Sequence, residues 1–261
     1  MLHDLEKALT QLRQIKPLVL CLTNHVTMDF MANCLLSLGA APIMTQDERE
    51  LDELVRICHA VNLNIGTLDA AFVERANLTK ALAQKYNKPV ILDPVGAGAT
   101  HIRTSTSRSL MASAAIIRGN ASEILALFDN VNKTLGVEAT HQVSDAAHSA
   151  IMLAREHQCT VVVSGERDLV TNGHQEEHLA FGSPLMPFVT GMGCTLTAVI
   201  AAFKAVIVDA YEAARLATAY YSLCGSLAAN KTTQPGSFRT AFINELFTAD
   251  FAAMRGLLHV A

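Results

Sequence analysis

The chain has 261 residues, is 51% hydrophobic but only 5% aromatic, and carries a formal net charge of −4. That apolar share excludes a disordered chain, and the length suits one α/β domain, spanning 1–261, with a sizeable core. The acidic balance offers neither the basic stripe that nucleic acid requires nor a basic amphipathic face for a membrane.

The N-terminal run Met1–Glu6 is acidic and amphipathic and lacks the basic start and apolar stretch of a signal peptide. Residues 17–23 read as a buried strand, and 27–39 as a helix closed by Gly39. Pro42–Thr45 is a short strand candidate. Thr45-Gln46-Asp47-Glu48 has the form of a capping box opening a helix to about His59. Further strands are expected at 62–67, 89–93, 115–119 and 160–164, with helices at about 70–86, 102–113, 121–128 and 143–157. Asn172-Gly173 reads as a hairpin turn between Asp168–Thr171 and Glu176–Phe181. From Gly193 onward the pattern is helical, at about 193–207, 209–230 and 237–252. The apolar segment Thr195–Val208 is broken by Lys204 and is too short to span a bilayer. The expectation is a cytoplasmic α/β protein, with a mainly parallel sheet covered on both faces and antiparallel strands at one edge.

Six cysteines are scattered without a C-x-x-C pair, which reads as a reduced chain with packed thiols. Several familiar sites are missing. There is no G-x-x-x-x-G-K-[ST], no G-x-G-x-x-G and no G-x-S-x-G. His174 and His178 follow a hairpin turn and do not form H-E-x-x-H.

Chemistry therefore has to come from the loops beyond the carboxyl ends of the strands, where such sheets bind ligands. Thr190-Gly191-Met192-Gly193-Cys194 is a glycine-rich turn running into an apolar helix. Amides in the first turn of a helix favour an anion, and around a transferring phosphoryl group they would act on developing charge. Cys194 lies in that turn, where the helix N-terminus favours a thiolate. Asn120-Ala121-Ser122-Glu123 is either a helix cap or a carboxylate beside a hydrated Mg²⁺. Asp93 ends an apolar strand and is either a turn cap acting through Gly96 or a second acid on the same metal. Arg118 ends another strand and needs either a phosphate or an ion pair with Asp93 or Glu123.

In order along the chain, Thr23–Asn33, Leu38–Met44, Asn64–Leu68, Asp93–Thr100, Ile117–Ile124, Val163–Glu166 and Gly191–Cys194 resemble the hydroxyethylthiazole kinases of the ribokinase-like superfamily. The matching stretches cover most of residues 17–205, and their combination is specific although no single one is. The resemblance implies a three-layer α/β/α ribokinase-like fold. It implies ATP- and Mg²⁺-dependent phosphorylation of the primary hydroxyl of 4-methyl-5-(2-hydroxyethyl)thiazole, for thiamine biosynthesis and chiefly salvage. It further implies a homotrimer with the thiazole site at a subunit interface. By position, Met44 and Gly191 match thiazole-site residues, with Asn24 and Gly66 near them. Arg118 and Ser164 match nucleotide-site residues. Asn120-x-x-Glu123 matches the magnesium motif, with Asp93 beside it. Gly191, Gly193 and Cys194 match the catalytic turn.

Two positions depart from the common pattern. Ser164 replaces a frequent Thr and keeps the hydroxyl. Met192 stands where Thr or Cys is common. Cys194 occupies the place of the Asp that takes the hydroxyl proton in sugar kinases, as it does in thiazole kinases. This sets the chain apart from its nearest rivals, pyridoxal and hydroxymethylpyrimidine kinases.

Overall fold

The computed structural model describes residues 1–128 and 143–258. Within them, eight strands form one sheet: β1 (Leu18–Leu22), β2 (Ala41–Ile43), β3 (Ala60–Asn64), β4 (Val90–Asp93), β5 (Ile116–Asn120), β6 (Thr160–Ser164), β7 (Asp168–Thr171) and β8 (Glu176–Leu179). Their order is β2-β1-β3-β4-β5-β6-β7-β8. The first six run parallel, and β7 and β8 continue antiparallel.

Alternation along each strand feeds two cores. Val19 and Cys21 of β1 face one core, while Leu20 and Leu22 face the other. On the first side lie α1 (Leu2–Ile15), α2 (Met28–Leu38), α8 (Met192–Lys204), α9 (Ala210–Ala229), α10 (Pro235–Thr248) and α11 (Phe251–Leu258). On the second lie α3 (Leu51–Ile57), α4 (Ala70–Lys85), α5 (His101–Met111), α6 (Ala121–Phe128) and α7 (Val143–His157). The result is a three-layer α/β/α sandwich. Small residues let α9 sit close to its neighbours: Ala213, Ala214, Ala217 and Ala219 are all fully buried. No helix among the described residues is long and apolar enough to cross a membrane.

The elements follow the sequence pattern, with instructive differences. The Thr45–Glu48 capping box does not form. Asp47 instead accepts the Arg49 amide at 3.0 Å and opens a short 3-10 turn, Glu48–Glu50, ahead of α3. A short carboxylate reaches the amide two residues on more readily than Thr45 spans three. The third strand starts earlier than its apolar run suggests and ends at Asn64, because the Asn64 side-chain carbonyl accepts the Gly66 amide (3.0 Å) and turns the chain. The hairpin has a four-residue loop, 172–175, in which Asn172 Oδ1 accepts the His174 and Gln175 amides. The expected final helix is two, α10 and α11, separated at Ala249 with φ 51°. The amphipathic N-terminus is the helix α1, seated through Leu5, Ala8, Leu9 and Leu12.

The topology fixes where a ligand can sit. The chain leaves β1 for β2 on one side and returns to β3 on the other. The carboxyl ends of β1 and β3 therefore flank a switch point, where neighbouring connections diverge and open a crevice.

Candidate active site

Beyond the carboxyl ends of these strands, five elements bring a buried cluster of polar side chains together. Asn24 lies just beyond β1 and Asn64 ends β3. Asp93 ends β4, Arg118 lies in β5, and Cys194 and Thr197 come from the first turns of α8. Main-chain amides set the polarity of this cluster. Asn24 Oδ1 accepts from the Thr27 amide (3.1 Å), which turns Asn24 Nδ2 toward Asn64 Oδ1 (2.9 Å) and Cys194 Sγ (3.3 Å). Asn64 Oδ1 also takes the Gly66 amide, so its Nδ2 donates to Asp93 Oδ2 at 2.7 Å. Thr197 Oγ1 donates to the same oxygen at 3.0 Å.

Asp93 is fully buried, and its Oδ1 has no hydrogen-bond partner. The nearest cation to it is Arg118, whose Nη1 lies 3.6 Å away. Burial pushes the Asp93 carboxyl up, against the pull of Arg118, Thr197 and Asn64. An ion pair between Arg118 and Asp93 therefore does form, as one of the two alternatives for Arg118 required. Arg118 Nη2 also donates to Ser164 Oγ, so the two positions matched to a nucleotide site touch each other.

Glu123 is held differently. Its Oε2 accepts the Asn120 amide (2.8 Å) while Asn120 Oδ1 accepts the Glu123 amide (2.9 Å), a reciprocal cap at the start of α6. Its Oε1 reaches across to the Gly96 amide at 2.8 Å. Gly96 thus binds Glu123, and the cap expected from Asp93 through Gly96 is not made. Burial and then the nearby charge of Asp93 push the Glu123 carboxyl up to about 7, with Arg118 opposing. Two buried carboxylates share one guanidinium.

The glycine-rich turn behaves as its composition suggests. Gly191 has φ 93° and begins α8, and a Cβ there would meet Thr27 at 2.8 Å. A Cβ on Gly193 would lie 2.6 Å from Arg118 Nη2, so this glycine admits the guanidinium to the helix start. The first intrahelical bond runs from the Thr195 amide to the Gly191 carbonyl (2.8 Å). The Gly193 and Cys194 amides precede it, in the part of a helix that lacks internal acceptors. The Met192 amide points back to the Val189 carbonyl (3.4 Å), which removes it from the expected set of anion-binding amides. The thiolate expected at Cys194 is also corrected. Burial and the charge of Asp93 push its thiol up to about 12, outweighing the helix N-terminus.

Gly66 packs on Asn24, where a Cβ would lie 2.9 Å from the Asn24 side chain. Met44 stands apart, one residue past the edge strand β2, and packs on the core of the α1/α2/α8 layer. The sequence reading did not assign Asn64, Thr197 or Arg103. For Asn64 there was a signal: two asparagines, Asn62 and Asn64, interrupt the otherwise apolar run of β3, and both are fully buried.

No cluster of three or more His, Cys, Asp or Glu side chains is gathered for a metal among the described residues. Asp93 and Glu123 are the acids that could hold one. Each retains acceptor capacity, and Asp93 Oδ1 has no hydrogen bond. Such a pair suits an ion that keeps its waters and shares substrate oxygens better than one needing an all-protein cage.

The family model for the hydroxyethylthiazole kinase family matches residues 9–250. The chain belongs to that family. It is 48% identical over 257 residues to the hydroxyethylthiazole kinase of Chlamydia abortus, covering 98% of each chain. The solved structure of the hydroxyethylthiazole kinase protein from Pyrococcus horikoshii superposes with a TM-score of 0.90 at 33% identity, covering 97% of this chain and 96% of that one. A ribokinase-like superfamily protein from Enterococcus faecalis, 16% identical with a TM-score of 0.61 over 88% of this chain and 86% of its own, shares the fold. Membership of the hydroxyethylthiazole kinase family makes the chain a kinase with a ribokinase-like fold.

Proposed function

We propose that this chain transfers the γ-phosphoryl group of ATP, with Mg²⁺, to the primary hydroxyl of 4-methyl-5-(2-hydroxyethyl)thiazole. The products are ADP and the thiazole phosphate used in thiamine biosynthesis and salvage. The observation that carries this reading is the convergence of Arg118, Asp93 and the amides of Gly193 and Cys194 at one helix start.

In this reading the alcohol lies against Asn24, Gly66, Gly191 and Met44, with its hydroxyl beside Cys194. Asn24 donates to Cys194 Sγ and so fixes the sulfur that the hydroxyl meets. Arg118 and Ser164 receive the nucleotide phosphates. Arg118 is already paired with Asp93, so its charge is aimed before substrate arrives. The Gly193 and Cys194 amides stabilise charge on the transferring group. When bound, Mg²⁺ would neutralise phosphate charge, held by Asp93 and Glu123 in part through water. Phosphoryl transfer in most analyses has a loose transition state, so positioning and electrostatics carry most of the acceleration. A thiol held near 12 stays protonated at neutral pH, so almost no thiolate is present to accept a proton. Cys194 then serves chiefly to position the hydroxyl.

The reading extends to one kinase domain over residues 1–261, working in the cytoplasm as a homotrimer with the alcohol site at a subunit interface. Supporting the interface, Met44 lies one residue past the edge strand β2, and Val26, beside the Thr27 that Gly191 packs on, is 70% exposed. Light scattering should give three chains per particle. The deciding assay supplies Mg-ATP with hydroxyethylthiazole, hydroxymethylpyrimidine or pyridoxal. The thiazole should be phosphorylated in preference, and no thiazole phosphate would refute the reading.

A further inference from the structure

Arg103 lies in the first turn of α5, where a positive charge opposes the helix dipole. Something other than helix stability keeps it there. Its Nη1 donates to the carbonyls of Ile65 (3.1 Å) and Val95 (2.8 Å), and its Nη2 donates to that of Gly66 (2.9 Å). All three acceptors are main-chain carbonyls, and they belong to two different loops. Ile65 and Gly66 follow β3, and Val95 follows β4.

These two loops carry opposite halves of the site. Gly66 packs on Asn24, the donor to Cys194. Gly96, next to Val95, gives its amide to Glu123. Gly96 has φ 76°, and a Cβ there would lie 2.9 Å from Arg103 Cδ, so the chain is shaped to let the arginine pass. A planar guanidinium can bridge both loops at once, whereas an ammonium is a point donor on a flexible stem.

We propose that Arg103 is a positioning residue that sets the spacing between the alcohol loop, 64–67, and the loop 93–97 that carries Asp93 and meets Glu123. The proposal rests on the kinase function above and adds a residue that touches neither substrate. A misplacement of about 1 Å in a transfer reaction costs on the order of 100-fold in rate. The spacing, not the affinity of either half-site, is what Arg103 protects.

The test compares wild type, Arg103→Lys, Arg103→Met and Arg103→Ala in the full chain. It reads kcat, the two KM values, melting temperature, and hydrogen exchange at the Gly66 and Gly96 amides. Arg103→Met should lower kcat by about 100-fold while each KM moves by less than about threefold. Exchange should rise at both amides together. Arg103→Lys should recover only part of the rate, and millimolar guanidinium should partly restore Arg103→Ala. A kcat within about twofold of wild type would overturn the proposal. So would a rate loss that follows only the unfolded fraction, with exchange at the two loops unchanged. If wild type itself fails to phosphorylate the thiazole, the functional reading falls, and the exchange data still decide whether Arg103 ties the loops.

Discussion

Asp93 and Glu123 are both buried acids in the field of Arg118, yet they are built in opposite ways. Asp93 is held by side chains that arrive from β3, β5 and α8. Glu123 is held by main-chain amides, one of them three residues away in its own cap. An acid gripped by distant side chains has a fixed position that depends on the whole fold. An acid gripped in its own cap is placed largely by its local sequence, and only its Gly96 contact depends on the fold. The difference predicts that substitutions at the two positions should fail differently.

Asp93→Asn should have the largest effect. It leaves Arg118 buried without its counter-charge and presents an amide where Asn64 and Thr197 donate. We expect kcat to fall by at least about 100-fold, with stability also lowered, as steady-state kinetics and denaturant melts would show. Glu123→Gln keeps one acceptor oxygen for the cap and should shift the Mg²⁺ requirement by about 10-fold. With the carboxyl near 7, the wild-type Mg²⁺ titration should weaken as pH falls through that value and the group takes up a proton. An unchanged titration in the variant would reduce Glu123 to a helix cap and break the pairing of the two acids.

A third buried acid sharpens the comparison. Asp168 starts β7 and accepts from the Gly165 amide (3.0 Å) and Ser222 Oγ (2.9 Å). Burial pushes it up from 3.8 to about 6. The folded state therefore binds the proton more tightly than the unfolded state. Its contribution to stability is complete below 3.8 and is lost as pH rises through about 6. Asp168→Asn should remove that slope, gaining at most about 3 kcal/mol over wild type above the window, since a tenfold difference in proton affinity is worth about 1.4 kcal/mol. Urea midpoints across the window would check this. The smallest catalytic effect is expected at Cys194. Cys194→Ala should slow turnover by about 10-fold or less, whereas loss of a true general base would cost about 100-fold or more. The pH–rate profile should keep its shape.

This contrast also explains what could be read in advance. Asn120 and Glu123 are three positions apart, so their cap was visible as spacing. The alternating and helical patterns placed most strands and helices, because burial on one or two faces writes a period into the chain. The cluster around Asp93 has no such signature. Asn24 and Cys194 are 170 positions apart, and Asp93 and Thr197 are 104 apart. Only the strand order brings them together. Asp93 stood out as an acid ending an apolar strand and Cys194 as a thiol in a glycine-rich helix start, and resemblance to the kinase family added Asn24, but Asn64 and Thr197 came from the geometry. Arg103 looked like any polar residue on a helix, since its partners are carbonyls and leave no trace in side-chain types. The thiolate expected at Cys194 failed for the same reason: the helix N-terminus is legible in the sequence, but the burial and the neighbouring carboxylate that outweigh it are not.

The central claim is that the cluster at the β1/β3 switch point moves a phosphoryl group to an alcohol. The most direct measurement is phosphorus NMR of Mg-ATP and hydroxyethylthiazole incubated with wild type and, in parallel, with Asp93→Asn. The account predicts one phosphomonoester signal for each ADP formed with wild type, and next to none with the variant. ATP left intact by wild type, or phosphomonoester formed equally fast by Asp93→Asn, would contradict it.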